Sequence, residues 1–380
     1  MSYKNKLERI TKVLSFKEAD RIPLIEFYWD KFIYNWKFEK DLPENSNIYK
    51  YYDLDLVFVV PLTDPKVKSF EIIKKTDDYV IFKSGYGCIV KKMFNSPMPQ
   101  FLEFEIKNPN QYENFIFDDP NLKERYYKSF YSITANAGDT LINSFEKQLK
   151  EYDTIIPVCG SVCEAHEKIW RIRGSEGLWM DLITNKEKVK NFVKKVEEYE
   201  IAIGLKQIEM GVNFILIAGD VAYDKGMFFS PQIWREVFKP TLKNMCKTFK
   251  RAKPEIKIIY HGCGNALNIF EDLIECGIDA YHSLEVKAGI DILDLKKKFE
   301  GRLAFIGNID VKDILTGSKE KIKSNVLKKL NAAKGGGYIP SSDHSIPDNI
   351  TVKNYEYFLS ILRKYGKFPL KLGQYDIIKN

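Results

Sequence analysis

His261 and Cys263 stand two residues apart, with Gly262 between them and Gly264 after them. In extended chain, side chains two apart point the same way, so an imidazole and a thiol here face one space. That pair suits zinc, whose catalytic sites use about three protein ligands and keep one position open. The plainer alternative is a satisfied histidine beside a buried thiol, with the two glycines turning the chain. A third ligand has to come from elsewhere. His344 is the best candidate. Cys159-x3-Cys163-x2-His166 is a rival ligand set, although Cys163 and His166 fall at the expected start of a helix. His282 and Glu285 are further candidates.

Other residues carry chemistry at similar places. Asp220 directly follows the apolar run Phe214-Ile215-Leu216-Ile217 through Ala218-Gly219, where a carboxylate has little structural reason to be. It suits a general base, a substrate-orienting group, or an outer partner of a metal-bound histidine. Glu26 is a second candidate catalytic carboxylate. Tyr28 and Trp29 beside it would line the same mouth, with packing as the alternative. His282, Glu285, Asn308 and Asp310 are expected to contact substrate, and Asp310 could instead cap the helix after it. The run Gly335-Gly336-Gly337 reads as a helix stop in preference to a phosphate cradle.

The elements that must position these groups alternate along the chain. Short apolar runs at Ile155–Val158, Phe214–Ile217, Ile256–Tyr260, Ile278–Tyr281, Leu303–Ile306 and Tyr338-Ile339 read as buried strands. Between them lie stretches with helical periodicity, such as Val189, Phe192, Val193, Val196, Tyr199 and Ile203, stopped by Gly211. Strands alternating with helices imply parallel βαβ units. An eight-stranded (β/α)8 TIM barrel is favoured over an open doubly wound sheet, and no G-x-G-x-x-G opens any unit. Ile22–Ile25 and Leu56–Val60 would supply the first two strands. Alternating segments at Phe70–Ile73, Tyr79–Phe82, Cys88–Lys91 and Phe101–Phe104 predict a small antiparallel insertion at about 66–125. The whole chain, 1–380, is read as one domain. Barrels of this kind place their sites at the C-terminal ends of the strands. Three of the four histidines (261, 282, 344) fall there.

Composition bounds the rest. Apolar residues make up 44% and charged residues 29%, ordinary for a globular protein. There is no apolar leader, and no run reaches the ~18 residues of a membrane span, so a cytoplasmic location is expected. The net charge of +7 comes from lysines interleaved with acids on helices, which argues against nucleic acid as a partner. The six cysteines are expected to be reduced thiols. Oligomeric state is left open, a homodimer among the options.

Taken together, these residues resemble the uroporphyrinogen decarboxylase superfamily, in particular its corrinoid-dependent methyltransferase branch. The resemblance covers nearly the whole chain. It rests on Arg21-Ile22-Pro23, Trp170-Arg171-Ile172-Arg173-Gly174, Gly219-Asp220, His261-Gly262-Cys263-Gly264-Asn265, Gly307-Asn308-Ile309-Asp310 and Gly336-Gly337-Tyr338-Ile339. It implies a (β/α)8 barrel. In the methyltransferase branch it also implies one zinc, held by a His-x-Cys pair and a third ligand in the last strand's loop. The pair matches His261 and Cys263. The third position, commonly cysteine in that branch, matches His344 in Ser342-Asp343-His344-Ser345. The implied partners are a corrinoid protein and a small methyl donor or thiol acceptor.

The decarboxylases of the superfamily share paired arginines after the first strand, suited to a polycarboxylate. The corresponding stretch here, Pro23 to Asp30, has no arginine and two acids. Tetrapyrrole decarboxylation, with Asp220 stabilising a protonated pyrrole, is therefore the alternative reading, and a non-catalytic corrinoid- or tetrapyrrole-binding barrel is a third.

Overall fold

The structure is a computed structural model that describes residues 2–96, 98–131 and 141–377. In chain order its strands are β1 (Val57–Phe58), β2 (Glu71–Lys75), β3 (Tyr79–Lys83), β4 (Ile89–Met93), β5 (Gln100–Glu103), β6 (Val158–Cys163), β7 (Phe214–Ala218), β8 (Ala222–Tyr223), β9 (Gly226–Met227), β10 (Lys257–Gly262), β11 (Ala280–Ser283), β12 (Ala304–Ile309) and β13 (Tyr338–Ser342). Among the described residues seven strands form one parallel sheet in the order β1-β6-β7-β10-β11-β12-β13. Helices such as Lys186–Glu209, Lys239–Ala252 and Val352–Tyr365 connect and cover it. This is a TIM-barrel-like α/β fold.

Its interior is apolar and small-residue rich. Ile25, Leu56, Cys159, Phe214, Leu216, Ile259, Ala280, Ala304, Ile306 and Ile339 form one buried cluster. Ile10, Val13 and Leu14 of helix α1 (Tyr3–Leu14) join that cluster. A second cluster lies between the sheet and the helices, where Ile215, Ile217, Ile258 and Tyr260 take the opposite face of the same strands. The alternation follows from the two-residue period of a strand, and burial on both faces explains the continuous apolar runs.

Two expected strands differ from those observed. Ile22–Ile25 is extended but makes no regular ladder. Asp55 N donates to Leu24 O at 2.8 Å, Leu24 N donates to the Asp55 carboxylate at 2.7 Å, and Ile346 N donates to Phe27 O at 2.8 Å. Pro23 has no N–H to give, and a side chain supplies what a neighbouring strand would. Asp55 is fully buried and also pairs with Arg9 at 2.6 Å and Arg21 at 2.7 Å, which fixes this segment between β1 and the end of β13. The strand expected at Ile155–Val158 begins at Val158 and runs to Cys163. Other strands likewise continue past their apolar runs: His261, Gly262, His282, Asn308 and Ser342 all lie within them.

Strands β2 to β5 form the antiparallel sheet in consecutive order, close to the four alternating segments. Val80, Phe82 and Val90 are its buried face. No helix among the described residues is long and apolar enough to cross a membrane.

Candidate active site

His261 and His282 are register partners on β10 and β11. Ile259 and Ala280 point into the barrel, so two residues later both imidazoles point the same way at its C-terminal end. Their Nδ1 atoms are 2.7 Å apart, so one ring donates to the other. His261 Nε2 is then free to face Cys263 Sγ at 3.9 Å and an Asp220 oxygen at 4.0 Å. The Asp220 carboxylate also accepts the Cys263 N–H at 2.8 Å. Phe27 packs on the His282 ring at 4.6 Å.

Cys263 is the shared member of two groups of potential ligands. Asp220, His261 and Cys263 form one, and Cys263, Glu285 and His344 form the other; in each, the ligand atoms lie within 4.8 Å of one another. The expected trio of His261, Cys263 and His344 is not itself such a group. The His344 ring is stacked on Trp29 at 5.8 Å. Glu285 accepts the Gly264 N–H at 3.2 Å and sits 3.5 Å from Lys287 Nζ.

Burial sets the protonation of these groups. It lowers the pKa of His261, with Asp220 acting in the opposite direction. It lowers His282 strongly, helped by the other two imidazoles. It pushes the Cys263 thiol well above its usual range, and Asp220, Glu285 and Glu167 push it further.

A zinc ion fits the His261 side of the site. Bonds of about 2.0 and 2.3 Å at a tetrahedral angle hold nitrogen and sulfur ligands roughly 3.6 Å apart, close to the 3.9 Å between Nε2 and Sγ. The outer partner of His261 is His282, where a carboxylate or carbonyl is usual.

Several of the other expected site residues are engaged by groups of the protein itself. The segment 25–29 alternates as a strand does: Ile25 and Phe27 belong to the interior cluster and Trp29 meets His344, so Glu26 and Tyr28 point the other way. Glu26 is buried, accepts the Ser342 N–H at 2.7 Å, and its burial raises its pKa to about 7. Tyr28 meets the Tyr355 hydroxyl and packs edge-on to Tyr49 in the outer core. Asn308 has a φ of 67° and turns away from the mouth. Its amide donates to Leu284 O and Ile290 O at 2.9 Å each, and its oxygen accepts from Ile292 N at 3.1 Å. Asp310 accepts from Lys312 N at 2.7 Å and Asp313 N at 3.2 Å, holding the turn after β12.

The rival set Cys159, Cys163 and His166 is not assembled. Cys159 is in the barrel interior, the Cys163 N–H donates to Glu200 at 2.8 Å, and His166 lies among Phe228, Phe229 and Phe238. Gly336 packs on the backbone of Phe16 and Lys17, where an added Cβ would meet Lys17 N at 2.5 Å. Close approach of α1's end explains the glycines better than a phosphate.

Two supports were missed from the sequence. Asp343 accepts from Val286 N at 2.9 Å and Val311 N at 3.0 Å, tying together the loops after β11 and β12. Tyrosines prop three mouth glycines: Tyr260 donates to Gly219 O at 3.0 Å, Tyr281 to Gly262 O at 3.0 Å and Tyr338 to Gly307 O at 2.9 Å. The sequence signal was a tyrosine within an apolar run, one strand after a Gly-polar strand end.

Residues 142–365 match the family model described as Uroporphyrinogen decarboxylase (URO-D). A uroporphyrinogen decarboxylase of Trichodesmium erythraeum is 25% identical over 178 residues, 47% of this chain and 48% of that protein. Uroporphyrinogen decarboxylase 2, chloroplastic, of Oryza sativa subsp. japonica is 25% identical over 134 residues, 35% of this chain and 33% of that protein. The chain thus spans at most about half the length of these two curated relatives. A solved structure described as a methyltransferase from Methanosarcina mazei shares the fold, with a TM-score of 0.64 at 15% identity over 95% of this chain and 98% of that one. With a family model matched over more than half of its length, this chain belongs to the uroporphyrinogen decarboxylase family.

Proposed function

We propose that the chain is a zinc-dependent methyltransferase acting with a corrinoid protein, exchanging a methyl group between the corrinoid and a methylated small molecule or a thiol. The observation that carries this reading is the His261–Cys263 pair at the barrel mouth, 3.9 Å apart, with ligand atoms of His344 and Glu285 within 4.8 Å of Cys263 Sγ. His261, Cys263 and His344 would hold the ion, and Glu285 and Asp220 are carboxylates within reach of Cys263. Zinc bound there supplies Lewis acidity toward the heteroatom of a thiol acceptor or a methylated donor.

The chain's own residues do the positioning. His282 fixes which nitrogen of His261 faces Cys263. Asp220 holds the Cys263 backbone through its N–H, and Trp29 orients the His344 ring. The corrinoid would arrive on another chain, and the barrel and its antiparallel sheet are proposed to act as one unit.

Decarboxylation of a tetrapyrrole is the second reading, favoured by the names of the curated relatives. The lysine beside the mouth carboxylate weighs against a polycarboxylate: Lys287 lies 3.5 Å from Glu285, itself within 4.8 Å of Cys263, so a new anion there would compete with an acid already in place.

Elemental analysis of protein purified without chelators tests the proposal. One zinc per chain is expected in the wild type and none in Cys263→Ala, together with demethylation of free methylcobalamin by a thiol that needs the bound zinc. A metal-free wild type that decarboxylates uroporphyrinogen would replace this reading with the second. Unchanged metal content and neutral substitutions at His261 and Asp220 would favour a non-catalytic barrel.

A further inference from the structure

Glu164 is the single residue between β6 and the helix Ala165–Arg173, and it is buried at 1% exposure. Trp234 Nε1 donates to its Oε1 at 2.9 Å, and its Oε2 meets the Tyr260 hydroxyl. That same hydroxyl lies 3.0 Å from Gly219 O. The strongest charge effects on Glu164 and its tyrosine come from other acidic groups, Glu167 on the carboxyl and Tyr281 and Asp220 on Tyr260.

A tyrosine hydroxyl has one hydrogen. If Glu164 were a carboxylate, Oε2 and Gly219 O would compete for that hydrogen, and one buried oxygen would face another with nothing between them. If Glu164 is a carboxylic acid, its O–H donates to Tyr260 and the tyrosine O–H donates to Gly219 O. Every group is then satisfied.

We infer that Glu164 carries a proton in the native protein, and that the chain from Glu164 through Tyr260 to the Gly219 carbonyl is a positioning device for Asp220. Burial supports it, raising the Glu164 pKa to about 7 against the lowering by Tyr260 and Trp234. Gly219 is held on both sides, since its N–H donates to His261 O at 2.8 Å. An added Cβ there would lie 2.2 Å from the Tyr260 oxygen and 2.5 Å from Glu164 Oε2. With Gly219 fixed, the next residue presents its carboxylate to the Cys263 N–H at 2.8 Å. Nothing in this chain of bonds depends on what the mouth binds.

Infrared spectra of the wild type and Glu164→Gln at pH 5.5 and 8.5 test the protonation. The wild type at pH 5.5 is expected to show a protonated-carboxyl band that the variant lacks. A difference spectrum showing only carboxylate at pH 5.5 overturns the proposal. Amide hydrogen exchange over residues 217–223 and 261–265 tests the positioning. Gln can donate to Tyr260 and accept from Trp234, so Glu164→Gln is expected to stay within about threefold of wild type. Tyr260→Phe and Glu164→Ala are expected to exchange roughly tenfold faster. Equal exchange in Glu164→Gln and Glu164→Ala, or unchanged exchange in Tyr260→Phe, overturns it. If Glu164→Ala does not fold, Tyr260→Phe against Glu164→Gln still decides.

Discussion

Asn308 and His261 both stand at strand ends where a polar side chain invites a functional reading, and their surroundings separate them. Asn308 spends its amide on three backbone groups and holds a backbone conformation that Asn tolerates better than most residues. Asn308→Ala should therefore cost stability, about 2–4 kcal/mol from the orphaned backbone groups and the positive φ. Urea denaturation checks this. A variant of wild-type stability with weakened substrate binding would return Asn308 to the site. His261 keeps Nε2 facing Cys263 at 3.9 Å and Asp220 at 4.0 Å. On the proposed zinc site, Asp220→Ala is expected to lower zinc affinity roughly 10–100-fold, as loss of an outer partner of a metal site typically does, read by competition with a chromogenic chelator. Unchanged affinity would confine Asp220 to another role.

At the scale of elements, the barrel closes through charge where it lacks a ladder. The segment around Ile22–Ile25 is joined to β1 by Asp55, which takes Arg9, Arg21 and the Leu24 N–H. This also explains Arg21 in the Arg21-Ile22-Pro23 motif: it pairs with the buried Asp55. Removing one partner of a buried ion network leaves the others desolvated, so Asp55→Ala should destabilise by about 3–5 kcal/mol. Thermal or urea unfolding measures it, and a change under 1 kcal/mol would mean that packing alone closes the barrel. Along the extended segment 25–29 the two faces alternate, so Glu26 and Tyr28 lie on the face opposite Ile25 and Phe27.

At the scale of the molecule, buried carboxyl groups set a pH dependence. Glu26 ionises near pH 4.5 when unfolded and near 7 when folded. Between those values the folded state holds a proton that the unfolded state has lost. The contribution of Glu26 is therefore undiminished below about pH 4.5, falls as the pH rises toward 7, and stays lower above it. The difference of 7 minus 4.5 corresponds to about 3 kcal/mol. Glu26→Gln should gain stability relative to wild type at pH 8 and little at pH 4.5, by urea midpoint at each pH. An equal effect at both would assign the change to packing.

What the sequence determined by itself is what depends on local pattern. Continuous apolar runs marked the strands because both of their faces are buried, and alternation marked the antiparallel sheet. The spacing of His261 and Cys263 placed both on one side because strand geometry has a period of two. The tertiary structure decided what depends on which strands become neighbours. It put His282 beside His261 through register, brought His344 and Glu285 within 4.8 Å of Cys263, and gave Asn308 and Glu26 backbone groups to hold and Tyr28 a place against Tyr49. Whether a polar side chain serves chemistry or backbone depends on which unpaired N–H and C=O groups the fold brings near it. Those groups come from segments far away in the chain, so no local pattern could announce them.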